Sequence, residues 1–154
     1  MTRGEAASRR SRRADRVEVD YAALAEFRYA IRRFLAFSKA AAAEAGLTSQ
    51  QHQALLTIKG VAGDAGLSIG ALAERLLVKQ HTAVELVDRL ERAGLVRRGA
   101  DPADGRRVLV SLTEEGEQRL RALSSAHLDE LRSIGPALSA ILAGLRDEDG
   151  SEDA

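Results

Sequence analysis

The sequence has 154 residues, with 23 Lys and Arg, 23 Asp and Glu, and no Cys. That length fits one domain or one compact two-part unit, and the lack of Cys excludes disulfides, thiolate metal sites and thiol-based redox sensing. Charges interrupt the apolar stretches before any could cross a bilayer, and the Arg-rich N-terminus lacks the apolar core of a secretory signal, so a cytoplasmic protein with no membrane partner is expected.

Net charge is zero, but the charge is unevenly placed. Residues 1–19 hold Arg3, Arg9, Arg10, Arg12, Arg13 and Arg16 and read as a disordered basic arm. Residues 147–154 hold Asp147, Glu148, Asp149, Glu152 and Asp153 and read as an acidic tail. DNA binding depends on a local basic face, so the zero balance does not exclude it.

From 20 to 45 there is neither Gly nor Pro, and Leu24, Phe27, Ile31, Phe34, Leu35 and Ser38 recur close to helical spacing. The aromatic residues Tyr21, Phe27, Tyr29, Phe34 and Phe37 all lie on this predicted helix, which Gly46 stops. Thr48 and Gln51 have capping-box spacing and open a second helix through Ala54, Leu55 and Ile58. After a Gly-rich loop over 60–66, Ser68 caps a third helix carrying Ile69, Leu72, Ala73 and Leu76. A short break at Leu77 and Val78 leads to a fourth helix over 79–93, with Val84, Val87 and Leu90 on one face and Gly94 as its stop.

The period then changes. Residues 95–98 read as a short strand, 101–105 as a turn cluster, and 107–112 as a second strand with Val108, Val110 and Leu112 on one face. Thr113 caps a fifth helix whose stripe is Leu120, Leu123, His127, Leu131 and Ile134. Gly135 and Pro136 are expected to break it before a last short helix with Leu138, Ile141, Leu142 and Leu145. The fold class is therefore mainly α with a small β-hairpin wing (α+β), over 20–146. The part about 47–112 is the candidate DNA-binding region. The flanking helices, about 20–45 and 113–146, are too apolar for it to cover and are expected to bury their stripes in a homodimer.

Two helices around a tight break fit a helix-turn-helix, whose second helix can enter the major groove and read base edges from its N-terminal half. Here that half offers Lys79, Gln80, His81 and Thr82. Gln suits adenine, Lys suits guanine or phosphate, and the Thr methyl suits thymine. At the hairpin tip Arg106 and Arg107 stand beside Asp104; an Arg on such a turn can reach the minor groove, and Asp104 could hold its guanidinium in a bidentate pair. Arg97 and Arg98 at the hairpin base could meet phosphates.

At these residues the sequence resembles the multiple antibiotic resistance regulator (MarR) family of winged helix-turn-helix proteins. The resemblance is carried by LSIGALAERL (67–76), TAVELVDRLERAGLVRR (82–98) and DPADGRRVLVSLT (101–113), the last with an Asp-x-Arg signature at Asp104, Gly105 and Arg106. It implies a homodimer formed by the terminal helices. It also implies a pseudo-palindromic double-stranded DNA operator, and relief by small phenolic or other aromatic ligands. Glu85 departs from the base or small polar residue that family members often carry; it is expected to pair with Arg89 one turn on, as Asp88 with Arg92.

A cleft between the terminal helices and the DNA-binding part would suit an aromatic effector, with Phe27, Phe34 and His52 as candidate contacts. His52, His81 and His127 are far apart in sequence, and without Cys a metal site would need acidic neighbours, so none is expected. Neither a nucleophile elbow nor a phosphate loop nor paired catalytic carboxylates appear, so neither a cofactor nor an enzyme is implied. The expected function is a DNA-binding repressor of transcription. The alternative is a winged-helix module kept for protein contact, with DNA binding reduced.

Overall fold

The computed structural model describes residues 20–147, so the basic arm over 1–19 and the acidic tail beyond 147 lie outside the described residues. Five helices and three strands are described: α1 (Tyr21–Glu44), α2 (Ser49–Ala62), β1 (Leu67–Ser68), α3 (Ile69–Leu76), α4 (Gln80–Arg92), β2 (Val96–Ala100), β3 (Val108–Leu112) and α5 (Glu114–Asp147). The chain divides into two units. Arg32–Ile134 form the larger, and the described residues of the other are 20–31 and 135–147.

Local signals set the ends of the elements in the larger unit. The Thr48 hydroxyl accepts from the Gln51 backbone N–H at 3.1 Å, and the Gln51 side chain accepts from the Thr48 N–H at 2.9 Å, which closes the capping box at the start of α2. Ser68 accepts from the Ala71 N–H at 3.2 Å and caps α3. Thr113 accepts from the Gly116 N–H at 3.1 Å at the start of α5, while its own hydroxyl donates to the Gly94 carbonyl at 2.6 Å. Each cap satisfies a backbone N–H that the first helical turn leaves without a partner.

The strands form an antiparallel sheet in the order β1-β3-β2, with Leu67 opposite Val110 and Val96 opposite Leu112. The hairpin of β2 and β3 is the one that the sequence predicts, whereas no strand is predicted at Leu67 and Ser68, where Ser68 is expected only as a helix cap. Gly66 brings β1 in at φ 86°; a Cβ there would stand 3.1 Å from that of Leu109 and 3.2 Å from the Val110 carbonyl oxygen, so the approach needs Gly. Val110 and Leu112 turn into the core, whereas Val108, near the hairpin tip, is exposed.

Helices α2, α3 and α4 pack over this sheet around Leu55, Ile58, Leu72, Val87, Leu90 and Leu95, each fully buried. Removing such a side chain from water contributes about 1.5–3 kcal/mol. Gly116 lies so close to the α4–β2 junction that an added Cβ would come within 2.1 Å of the Leu95 carbonyl oxygen. It fixes the start of α5 against the domain.

The expected break at Gly135 and Pro136 does not occur: α5 continues through Pro136. Proline removes one backbone donor from the helix ladder, but Ala137 and Leu138 beyond it are strong helix formers and sustain the helix. No described helix is long and apolar enough to cross a membrane.

Candidate nucleic-acid interface

Helix α3, the turn at Leu77 and Val78, and helix α4 form the helix-turn-helix. Ala83, Leu86, Val87 and Leu90 anchor α4 in the core. That leaves Lys79, Gln80 and His81 exposed at its N-terminus and Thr82 half-buried. Lys79 is the N-cap residue, and its side chain makes no capping hydrogen bond. The sequence from Arg75 to Val84 carries Arg75 and Lys79 and no acidic residue.

The wing is organised by its acidic residues. Asp101 accepts from the Ala103 N–H at 2.9 Å, and its own N–H donates to the Arg107 carbonyl at 2.9 Å. Asp104 accepts from the backbone N–H of Arg106 at 3.1 Å, and its carbonyl accepts from the Arg107 N–H at 2.9 Å. Asp104 therefore shapes the turn through the backbone, not by clamping the Arg106 guanidinium as the sequence suggested. An Asp side chain two residues from its donor forms this local turn readily. Arg106 and Arg107 remain exposed at the tip.

Arg98 links the wing to α4. Its guanidinium donates to Asp88 Oδ1 at 2.6 Å and, through the other nitrogen, to Glu91 Oε2, so two carboxylates of α4 hold one residue of β2. This changes two expectations. Arg98 is engaged within the chain and not presented to phosphate, and Asp88 pairs with Arg98, while Arg92 donates only to the Asp88 backbone carbonyl at 3.3 Å. Among the described residues Glu85 and Arg89 form no ion pair. Arg97, on the opposite face of β2, is exposed and lines a cleft with Asp64, Glu114 and Glu117, of which Asp64 and Glu117 pair with Lys59 at 2.5 and 2.6 Å.

Of the residues expected to contact a ligand, Phe34 and His52 lie in the larger unit, each against the ring of His127. Phe27 lies half-buried on the stretch of α1 that belongs to the other unit. Phe34 and Phe37 on α1 present their edges to the ring of His127 on α5, with centroids 6.0 and 5.5 Å apart, and His52 on α2 lies 4.5 Å from the same ring. His127 donates from Nδ1 to the Leu123 carbonyl at 2.7 Å, which fixes that tautomer because a carbonyl only accepts. Its Nε2 then accepts from the Ser38 hydroxyl at 2.8 Å.

His52 is 2% exposed, and its Nδ1 has no hydrogen-bond partner. Burial, and then the neighbouring His127, hold its pKa below the ordinary value. Sequence reasoning missed His127 and Ser38 as partners of this group. Their only local signal was a polar residue at a stripe position. Among the described residues no group of three or more His, Asp or Glu could hold a metal ion.

A three-helix core, an antiparallel wing and an exposed polar helix N-terminus define a winged helix-turn-helix protein. A profile of the MarR family matches residues 45–107. The chain is 41% identical over 76 residues to the transcriptional regulator HosA of Escherichia coli O111:H-, a match covering 49% of this chain and 54% of HosA. It thus spans about half the length of the curated relatives that it matches first. The crystal structure of a probable transcriptional regulator from Pseudomonas aeruginosa is 30% identical with a TM-score of 0.57, over 79% of this chain and 91% of that one. The structure of CouR from Rhodococcus jostii RHA1 bound to p-coumaroyl-CoA is 26% identical with a TM-score of 0.63, over 77% of this chain and 82% of that one. The chain belongs to the MarR family.

Proposed function

We propose that this protein is a sequence-specific, double-stranded DNA-binding regulator of transcription that acts as a homodimeric repressor. The observation that carries the proposal is the link from Arg98 to Asp88 and Glu91, because it ties a groove-sized helix and a basic wing into one reading surface. Helix α4 enters the major groove, where Gln80, His81 and Thr82 read base edges and Lys79 meets a guanine or a phosphate. The wing tip brings Arg106 and Arg107 to the adjacent minor groove, with Asp104 holding the turn in shape. Arg97 adds a weak phosphate contact, and Arg98 acts by positioning.

Exposed apolar residues support the dimer. Leu35, Leu128 and Leu131 of the larger unit are 49%, 52% and 45% exposed, and Tyr21, Leu24 and Leu142 of the other unit 78%, 45% and 45%. A second copy covers them and sets two copies of α4 on a pseudo-palindromic operator, with half-sites about one helical turn apart.

A small aromatic ligand, taken up near Phe34 and His52, relieves repression by favouring a dimer with the wrong spacing between its recognition helices. The bound thioester of a phenolic acid in CouR supports this choice of ligand class. Selection of a random duplex pool on the purified protein, followed by titration of the selected duplex with p-coumarate and salicylate, tests both parts. A symmetric site, released by one of these acids, is expected. Failure to enrich any site would end the DNA-binding reading, and enrichment without release would end only the effector reading.

A further inference from the structure

Five described residues adopt positive φ, and four are glycines: Gly46, Gly63, Gly66 and Gly94. The fifth is Leu77, at φ 55° and ψ 40°, in the turn of the helix-turn-helix. Its N–H donates to the Ala73 and Glu74 carbonyls, so it ends α3 in the left-handed conformation for which Gly is preferred at this place. A side chain with a Cβ is strained in that conformation. Burial does not compensate, because Leu77 is 93% exposed, the most exposed of the large hydrophobic residues described.

A scattered surface leucine needs no explanation. A bulky residue held in a glycine conformation, and extended into solvent, points instead to a use outside the chain. Its surroundings indicate the partner. Arg75 and Lys79 flank it two residues away on either side, both exposed, and the recognition helix begins at Gln80. That charge suits a phosphate-lined groove. Leu77 can form no hydrogen bond there, and the apolar group that the major groove displays is the thymine 5-methyl.

We propose that Leu77 is a specificity-determining contact, packing on a thymine methyl of the operator beside the bases read by α4. This assignment rests on the DNA-binding reading above. The test uses the full chain and the duplex it selects, with Leu77→Gly as the variant and single dT→dU replacements, which remove one methyl each, as the probe. Leu77→Gly removes the strain, so its melting temperature is expected to equal or exceed that of the parent. Its affinity for the selected duplex is expected to fall about ten-fold. One dT→dU replacement per half-site is expected to weaken the parent several-fold and to leave the variant unaffected.

Equal affinity of parent and variant overturns the assignment. So does a weaker variant when no dT→dU replacement affects the parent, because Leu77 would then be a general contact. A change in oligomeric state of Leu77→Gly also overturns it, in favour of contact with a second copy. If the parent binds no duplex at all, it is the DNA-binding reading that fails, and the comparison of variants never arises.

Discussion

The rings of His52 and His127 lie 4.5 Å apart, tilted by 48°, and both side chains are buried. They come from α2 and α5, and the Ser38 hydroxyl of α1 completes the group. Three helices thus meet on a polar cluster inside an otherwise apolar junction. Among the described residues no carboxylate hydrogen-bonds or ion-pairs with either ring.

This arrangement predicts acid sensitivity. Burial and the neighbouring His127 lower the pKa of His52 from 6.5, so the folded protein takes up this proton less readily than the unfolded chain. The stability is fully present above pH 6.5 and is lost as pH falls through the lowered folded value. Denaturant unfolding at a series of pH values should show stability declining on the acid side of 6.5, and His52→Leu should flatten that part of the curve. An unchanged slope in the variant would assign the acid response elsewhere.

Ser38→Ala leaves Nε2 of His127 without its donor in a buried site. The expected loss is about 1–3 kcal/mol, the cost of an unsatisfied buried polar group. Chemical denaturation measures it, and a loss below a few tenths would mean that water satisfies Nε2 in the variant.

Arg98→Met keeps the apolar stem and removes both ion pairs to α4. The partner carboxylates of Asp88 and Glu91 are 45% and 42% exposed, so solvent screens the pairs and the stability change is expected to stay below about 1 kcal/mol. Affinity for the selected duplex should fall more than that, because the wing loses its orientation toward α4. Equal effects on stability and affinity would reduce Arg98 to an ordinary surface pair.

Gly116→Ala forces a methyl into the space of the Leu95 carbonyl oxygen. The contact is with backbone and cannot be relieved by a rotamer change, so destabilisation of about 1–3 kcal/mol or more is expected. A thermal melt that matches the parent would show that the start of α5 can move.

Much of this fold was legible in the sequence because its signals are local. The Thr48–Gln51 capping box, the caps at Ser68 and Thr113, the stop at Gly94 and the change of period at the hairpin each involve residues within a few positions. The exposed N-terminus of α4 followed from the same pattern. What was missed depends on long-range packing. The pairing of Leu67 with Val110 has no local signature. Nor does the meeting of His52 with His127, whose helices lie at opposite ends of the DNA-binding part. Asp88 faced a choice between Arg92 on its own helix and Arg98 on the strand, which only the tertiary fold could decide. At Pro136 the local rule gave a break, and the helix formers beyond it prevailed.

The central claim is that α4 and the wing read one DNA surface together. Its most direct measurement is the salt dependence of affinity for the selected duplex, for the parent and for Lys79→Ala, Arg106→Ala and the double variant. A steep loss of parent affinity with salt is expected, with a slope shallower by about 0.9 for each phosphate contact removed. The double variant should lose about the sum of the two, with its oligomeric state and melting temperature unchanged. A parent affinity that is flat across salt, or variants with the parent's slope, would contradict the account.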